Sequence, residues 1–333
     1  MKNRCLKTAW LHNMKVSVII PVYKVEAFVE RCVRSLMEQT LQDVEFIFVD
    51  DASPDGSMEI VRKVTAEYDR DVRILVHPEN KGLPAARNTG LAAACGDYIF
   101  HCDSDDWPEK TMLEKMYGTA VDRKADFVYC DFFLEFGTGR RYMATPDYAT
   151  TEEMVKDGLL VGNMKYNVWN KLIHRSLYDG VSFPEGHGMG EDMTIIPLAT
   201  RARQIARVPE ALYHYIKINA GAFSAKMTER RLRDIRFNTD RTLSALESWA
   251  TTDKEKYLAF FKLNVKLPFL FSDDKAQYKL WQEWYPEADR FIPENTSLPR
   301  RTRLVQEWAA KGHFGLVRLY GFVINKIYYR FFR

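Results

Sequence analysis

The chain has 333 residues, of which 46% are hydrophobic and 28% are charged. This composition is typical of a folded globular protein and excludes a disordered or collagen-like chain. The formal net charge is only +3, yet residues 296–333 hold eight Lys and Arg against one Glu. Such a basic tail can meet anionic lipid, nucleic acid or an acidic glycan, although a solvated helix face has a similar composition.

The sequence gives no sign of a targeting or membrane-spanning segment. The first 13 residues are partly basic but lack the apolar run of roughly seven residues that a secretory signal requires. No uncharged apolar stretch approaches the roughly 20 residues that span a bilayer. We therefore expect a cytoplasmic protein, and we interpret residues 1–13 as an N-terminal extension.

Strands and helices are predicted to alternate through the first 135 residues. Short apolar runs predict strands at 15–23, 44–49, 72–77, 97–102 and 126–135. Apolar residues at helical spacing predict helices at 26–41, 55–68, 82–94 and 108–121. This alternation predicts an α/β fold with a mostly parallel sheet and a ligand site at the carboxyl ends of its strands.

The predicted secondary structure changes twice in the rest of the chain. Residues 136–190 are irregular, and a predicted helix at 191–201 and an extended segment at 207–218 follow. The pattern is helical from about residue 228 onward, for example at 231–249 and 254–271. We therefore predict a main domain at 14–225 and a helical C-terminal region at 226–333.

Acidic residues follow two of the predicted strands. Asp103 and Asp105 come directly after the fourth strand and can project toward one cation, for which oxygen ligands favour Mg²⁺ or Mn²⁺. Acidic turns are also common as solvated loops or helix caps, and Asp106 would fit a cap. Asp50 and Asp51 end another strand, so two acidic pairs lie at one edge of the predicted sheet.

The segment PENKGLPAARNTG at 78–90 combines a glycine turn, small residues and one arginine. Arg87 can donate two parallel hydrogen bonds to a base or a diphosphate. A buried structural arginine paired with Asp50 is the alternative. The sequence contains no Walker-type or GxGxxG loop, which argues against an ATPase or a dinucleotide-binding protein.

Three segments in this order resemble the signature segments of the family 2 inverting glycosyltransferases, which have the GT-A fold. They cover about residues 15–120 and read VSVIIPVYKVEAFVERCVRSLMEQTLQDVEFIFVDDASPDGS, ENKGLPAARNTG and GDYIFHCDSDDW. VWNKLIHRS and GMGEDM are similar to acceptor-half segments of that family. The resemblance implies a mixed, mostly parallel sheet flanked by helices, with a donor half at about 14–120, an acceptor half at about 121–225 and a C-terminal helical appendage.

The resemblance also implies how the donor is bound. Pro21, Val22 and Tyr23 would line the nucleobase through backbone and ring contacts. Asp51 would bind the base, and Arg87 would assist there. These positions match the family's donor-half motifs in this sequence.

The metal ligands and the general base are implied in the same way. Asp103 would face the ribose and the metal shell, and Asp105 would be the direct ligand of Mn²⁺ or Mg²⁺. Asp192 would be the general base that takes the proton of the acceptor hydroxyl. Glu191 and Asp192 also lie at a predicted helix start, where the helix dipole stabilises acids without any catalytic role.

One segment departs from the family pattern. Where many relatives carry a Tyr-Tyr-Tyr-Arg type strand, this chain reads YHYIKIN at 213–219. His214 or Lys217 would supply the basic contact to the diphosphate. Strand register decides which of the two faces the site.

The implied enzyme is a hexosyl- or N-acetylhexosaminyltransferase that takes its sugar from a nucleotide-diphosphate sugar, with UDP-sugar favoured. The acceptor would be a glycan or lipid-linked glycan in bacterial surface polysaccharide or lipopolysaccharide synthesis, and nucleic acid is not an expected partner. Residues 314–332 suit a helix lying on the inner face of the membrane, or one that packs on the protein. A sugar nucleotidyltransferase and a noncatalytic glycan- or nucleotide-binding scaffold are the alternatives.

Overall fold

The computed structural model describes residues 14–217, 228–272 and 276–323. These residues form two compact units. The first contains the chain up to Thr151 and Tyr166–Thr242, and the second contains Glu152–Lys165 and the chain from Leu243 onward. The N-terminal extension and the domain boundary predicted near residue 225 both lie outside the described residues.

Nine strands of the first unit form one sheet within the described residues. They are β1 Val16–Val22, β2 Val44–Asp50, β3 Asp71–Val76, β4 Tyr98–His101, β5 Trp107–Pro108, β6 Phe127–Glu135, β7 Arg140–Met143, β8 Lys171–His174 and β9 Ile205–Ile216. Their order is β3-β2-β1-β4-β8-β6-β9-β5, with β7 paired to β6. The first four strands in this order pair in parallel, β8 is antiparallel to both its neighbours, and β6 and β9 are parallel.

The described helices occur in both units. They are α1 Val29–Met37, α2 Ser57–Thr65, α3 Leu83–Ala93, α4 Met112–Arg123, α5 Thr151–Glu153, α6 Ile195–Ala199, α7 Glu229–Ala245, α8 Lys254–Lys266, α9 Ala276–Glu283, α10 Arg300–Ala310 and α11 Phe314–Val323. A π-helical segment follows α5 at Met154–Leu160. Short 3₁₀ helices lie at Arg175–Tyr178, Glu191–Thr194, Leu267–Phe271 and Pro286–Glu294. The helix predicted at 191–201 is therefore a 3₁₀ turn followed by α6.

Apolar periodicity explains the core of the first unit. Every residue of β1 and β2 is buried, as expected for parallel strands covered on both faces. Helix α1 buries Val29, Cys32, Val33 and Leu36, which share one face of a helix at this spacing. Complete burial of one such aliphatic side chain contributes about 1.5–3 kcal/mol. The core therefore holds the carboxyl ends of β1, β2 and β4 at one edge of a rigid sheet.

The irregular region predicted at 136–190 contains two strands. Strand β8 is only four residues long and begins with a lysine, so its sequence lacks an apolar run or an alternating pattern. It exists because β4 and β6 supply hydrogen-bonding partners on both sides. Strand β8 therefore depends on pairing with its two neighbours, and its local sequence does not predict it.

The second unit is helical and has a charged group in its interior. Lys266 is fully buried, and its Nζ donates to Asp289 Oδ1 at 2.6 Å and to the carbonyl oxygens of Trp281 and Trp284 at 3.2 and 3.0 Å. Burial lowers the pKa of this lysine, whereas Asp289 raises it. Within the described ranges, none of the helices has the length and apolar character needed to cross a membrane.

Candidate active site

The acidic pair that ends β2 is held by the protein itself. His77 Nδ1 lies 2.7 Å from Asp51 Oδ1, and the backbone N–H groups of Lys81 and Gly82 donate to the same carboxylate at 2.8 Å each. The neighbouring Asp50 accepts a hydrogen bond from the backbone N–H of Ser53 at 2.9 Å. Asp51 therefore fixes the turn that leads into α3.

The acids that follow β4 are less enclosed. The side chain of Asp103 is 26% exposed, and Asp105 is half-buried. Asp106 is buried and accepts hydrogen bonds from the Tyr213 hydroxyl at 3.0 Å and the Ile216 N–H at 2.8 Å. Asp106 is thus an anchor to β9 and does not cap a helix, while the two acids before it remain accessible.

Arg87 connects the acids after β4 to a distant part of the chain. It lies in the second turn of α3 with a side chain that is 2% exposed. Its Nη2 donates to Asp103 Oδ1 at 2.8 Å, and its Nη1 donates to Asp192 Oδ1 at 3.0 Å and to Glu191 Oε1. The alternative pairing with the acid at the end of β2 is not the one that the structure contains.

The segment with Glu191 and Asp192 begins with a tight turn. Gly190 has a φ of +84°, a left-handed conformation that glycine adopts without steric cost. Glu191 is buried, whereas the side chain of Asp192 is 32% exposed. Burial raises the pKa of Asp192, and the positive charges of Arg87 and Lys171 oppose that rise. A carboxylate with a raised pKa is better suited to accept a proton.

The charge of Asp192 affects the pKa values of two further side chains. Lys171, the first residue of β8, is buried and donates to the Asn170 side chain at 2.8 Å. Burial lowers the pKa of Lys171 to about 7, although Asp192 opposes this shift. Burial and the same aspartate raise the pKa of the half-buried Tyr166 to about 12. The surroundings of Asp192 are thus polar and poorly hydrated.

The end of β1 lies beside the end of β2. Pro21 and Val22 have buried side chains, and the carbonyl oxygen of Val22 accepts a hydrogen bond from the Asp51 N–H at 3.1 Å. Tyr23 follows and is 39% exposed, with Lys24 Nζ lying 5.2 Å from its ring centroid. This end of the sheet therefore offers an aromatic ring and backbone groups to a ligand.

His214 is turned away from the acids after β4. Its Nδ1 lies 2.7 Å from Glu135 Oε1, its Nε2 lies 2.9 Å from Glu109 Oε1, and its ring stacks on Trp107 with centroids 4.5 Å apart. Both ring nitrogens are therefore occupied by carboxylates of the protein. Strand register places His214 on the face of β9 opposite to Tyr213, and a contact with the diphosphate would require it to exchange one of these carboxylate partners.

The opposite face of β9 meets the acids. The Tyr213 hydroxyl donates to Asp106, and burial together with the charges of Asp106, Asp103, Asp105 and Asp192 raises the pKa of Tyr215 to about 12. The two-residue period of a strand places Lys217 on the same side as these tyrosines. Lys217 Nζ lies 4.4 Å from the centroid of the Tyr215 ring. Of the two predicted basic residues, Lys217 lies on the side of the acids.

A groove with a volume of about 550 Å³ lies beside Asp105. Its lining includes Phe28, which precedes α1, Arg31 of α1, Trp107 and Ile216. The Arg31 guanidinium lies over the ring of Trp107, and burial lowers the pKa of this arginine. The groove gives a ligand room next to Asp105, and sequence reasoning did not single out Arg31 or Trp107.

The acids after β4 fit a cation that shares its ligands with phosphate. In the parts of the chain that the structure describes, no three His, Cys, Asp or Glu side chains converge as a metal-ligand group. Asp103 and Asp105 supply two carboxylates, and Mg²⁺ is commonly bound by one or two carboxylates together with substrate phosphates. Burial and the charges of Asp105 and Asp192 raise the pKa of Asp103 to about 6 against the effect of Arg87. This crowding of negative charge favours a divalent cation.

Sequence comparison establishes the family. The profile of "Glycosyl transferase family 2" matches residues 17–196, which is more than half of the chain. The chain belongs to glycosyltransferase family 2. EpsH of Bacillus subtilis strain 168, named as a glycosyltransferase, is 34% identical over 209 residues, and the match covers 60% of each chain. EpsJ of the same strain is 34% identical over 212 residues, again with 60% of each chain covered. The chain thus spans less than two thirds of the length of these relatives.

Solved structures establish the fold of this family member. Residues 1–349 of S. aureus TarS match with a TM-score of 0.69 at 18% identity, over 94% of this chain and 92% of that one, and TarS has also been crystallised with UDP-GlcNAc. The mannosyltransferase PcManGT from Pyrobaculum calidifontis, in complex with GDP-Man and Mn²⁺, matches with a TM-score of 0.52 at 16% identity, over 95% of this chain and 88% of that one. The predicted GT-A fold, with a mixed sheet flanked by helices and C-terminal helices, is confirmed.

The structure groups the predicted site residues into two sets. Arg87, Asp103 and Asp192 are joined by hydrogen bonds. Sequence reasoning missed that Glu191 is also a partner of Arg87 and that Lys171 acts on Asp192. Both residues lie within segments that resemble the family, and their roles depend on a packing arrangement that no local pattern encodes. The second set, at the ends of β1 and β2, contacts the first through the turn into α3.

Proposed function

We propose that this family 2 glycosyltransferase moves a sugar from a UDP-sugar to an acceptor hydroxyl with inversion at the anomeric carbon. The observation that carries this proposal is the pairing of Arg87 with both Asp103 and Asp192. It places a partly exposed carboxylate with a raised pKa beside the predicted cation site. A single displacement needs the base and the departing diphosphate to be held together in this way.

In the proposed reaction, Asp192 accepts the proton of the acceptor hydroxyl. The hydroxyl oxygen forms a bond to the anomeric carbon from the side opposite the diphosphate. The bond between that carbon and the diphosphate oxygen breaks, and its electron pair leaves with the nucleoside diphosphate. A positioned base contributes roughly 10²- to 10⁴-fold to such a step.

Residues around the base would bind the donor. Asp105, with Asp103, would hold Mn²⁺ or Mg²⁺, which stabilises the negative charge of the leaving diphosphate. Lys217 is the better placed of the two predicted basic residues to assist there. The exposed ring of Tyr23 would cover the nucleobase, and Asp51 remains the proposed partner of that base.

The donor and acceptor classes are proposed from the neighbours and the fold. TarS is crystallised with UDP-GlcNAc, and PcManGT is in complex with GDP-Man and Mn²⁺. We favour a UDP-hexose or UDP-N-acetylhexosamine donor and a glycan or lipid-linked glycan acceptor, in bacterial surface polysaccharide or lipopolysaccharide synthesis. The groove beside Asp105 gives space for such a ligand.

Helix α11 supports a contact with the inner face of the membrane. Leu316, Leu319 and Phe322 are 43%, 60% and 54% exposed, and the exposed Arg318 lies among them. Exposed apolar residues next to basic ones favour binding to an anionic lipid surface. The rest of the predicted segment, residues 324–332, lies outside the described residues. Equal sedimentation with anionic and zwitterionic vesicles would contradict this contact.

Isothermal titration with UDP, GDP and CDP, each with and without Mn²⁺, tests the proposed function. We expect Mn²⁺-dependent binding that is tightest for UDP. If GDP or CDP binds most tightly, the donor is a GDP-sugar or a CDP-sugar and the proposed transferase mechanism is retained. Absence of metal-dependent binding for all three nucleotides would contradict the proposal and favour the scaffold alternative.

A further inference from the structure

The turn before α3 and the packing of this helix on the sheet fix the position of Arg87. The backbone turn before α3 is fixed by the Asp51 carboxylate through the N–H groups of Lys81 and Gly82. Gly90, one turn further along α3, packs so closely on β1 that a Cβ atom there would overlap the side chain of Ile19. The helix is therefore seated on the sheet, and the arginine side chain is directed into the acidic cluster.

Both terminal nitrogens of the guanidinium are engaged by carboxylates, and its Nε is buried without a hydrogen-bond partner among the described residues. Its Nη1 directs its hydrogen bonds to Glu191 and Asp192, and its Nη2 donates to Asp103. A planar fork can hold several carboxylates at fixed angles, which a single ammonium group cannot do. The side chain is 2% exposed, so its contacts are desolvated and correspondingly strong.

The partners of Arg87 belong to two segments far apart in the chain. Glu191 and Asp192 lie 104 and 105 positions after Arg87, whereas Asp103 follows it by 16 positions. Asp103 belongs to the predicted metal motif, and Asp192 is the proposed base. Arg87 is thus the described side chain that hydrogen-bonds to both of them.

We propose that Arg87 is a positioning residue that sets the placement of the base Asp192 relative to the metal motif, and that it is not a contact of the donor. This inference rests on the proposed function. In the reaction, Arg87 keeps the Asp192 oxygen aimed at the acceptor, and its hydrogen bond to Asp103 anchors the guanidinium to the segment after β4. Glu191 accepts a hydrogen bond from the same Nη1 and so helps to fix the plane of the guanidinium.

Substitution Arg87→Lys tests the proposal because it keeps the charge and removes the fork. We expect the rate of UDP release from a panel of UDP-hexoses and UDP-N-acetylhexosamines to fall roughly 100-fold, the scale of a misplacement of about 1 Å in a reacting group. Calorimetric affinity for UDP with Mn²⁺ should change by less than about threefold, because the arginine acts on the base side of the reaction.

Arg207→Lys is the matched control. Arg207 also forms a buried pair, since its Nη2 donates to both oxygens of Asp131 at 3.0 and 2.9 Å, with side chains that are 19% and 0% exposed. We expect this variant to lower the melting temperature and to leave UDP release unchanged. A fall in UDP release as large as that of Arg87→Lys would mean that loss of any buried ion pair slows the enzyme.

Two results overturn the proposal. If Arg87→Lys weakens UDP affinity by the same factor as it slows release, Arg87 contacts the donor. If release is unchanged, Arg87 does not position the base. Should Arg87→Lys not fold, Glu191→Ala decides, because it removes one of the three carboxylate partners of the arginine. We expect slower release at unchanged UDP affinity, and unchanged release overturns the inference. Failure of the proposed function is distinct, since the wild-type protein would then show no metal-dependent nucleotide binding.

Discussion

The carboxylates that follow β2 and β4 have similar sequences around them but different surroundings. Asp51 has a side chain that is 4% exposed, and it receives two backbone N–H groups and faces a histidine. Asp103 is 26% exposed and shares one guanidinium with two other acids, while Asp105 is half-buried. An acidic side chain at a strand end is held rigidly where backbone donors converge on it. It stays available to a ligand where the protein supplies too little positive charge.

The largest expected effect comes from substitution of Asp192, which Arg87 links to Asp103 after β4. Asp192→Asn keeps the shape of the side chain and removes the proton acceptor. We expect UDP release to fall roughly 10²- to 10⁴-fold with the affinity for UDP and Mn²⁺ nearly unchanged. Rate assays with parallel calorimetry check this. A loss of nucleotide affinity equal to the loss of rate would contradict the role of general base.

Asp105→Ala is expected to remove the part of the UDP affinity that depends on Mn²⁺. The melting temperature should stay the same or rise, because the substitution relieves repulsion among the acids after β4. Calorimetry with and without Mn²⁺ and thermal unfolding of the metal-free protein measure the two effects. If affinity with and without Mn²⁺ matches the wild type, Asp105 is not a metal ligand.

Asp51→Asn should lower the stability of the protein, whereas Asp105→Ala should leave it unchanged or raise it. An amide cannot accept all the hydrogen bonds that the carboxylate accepts, so we expect a loss of about 1–3 kcal/mol in the free energy of unfolding. Denaturant unfolding measures it, with Asp43→Asn as the control because Asp43 forms only a partly exposed pair with Lys15. Among molecules that remain folded, a weakened affinity for UDP would support the proposed contact of Asp51 with the base.

The smallest effect is a shift of the acid limb of the pH–rate profile. Asp192 must be ionised to accept a proton, and burial raises its pKa, so its protonated form persists to higher pH than in an ordinary aspartate. UDP release should therefore fall on acidification with a midpoint above the roughly 3.9 of a free aspartate. A rate that stays constant down to about pH 4 would contradict the raised pKa.

Most elements of the first 135 residues could be predicted from the sequence. The short apolar runs of the strands and the 3.6-residue periodicity of the helices involve neighbouring positions and are read directly from the chain. The acids at the strand ends could be located in the same way, since they follow buried runs. The resemblance to the family added the order of its motifs, and the matched profile confirmed that membership.

The contacts of the site were decided by the tertiary structure. Strand β8 required β4 and β6 as partners, and the register of β9 placed His214 opposite to Tyr213. Two of the three partners of Arg87 came from positions about 100 residues away. Such contacts depend on strand order and on how elements pack, and a local pattern carries no information about either. The sequence by itself determined which side chains could do the chemistry. The fold determined which of them were satisfied by the protein and which were left to a ligand.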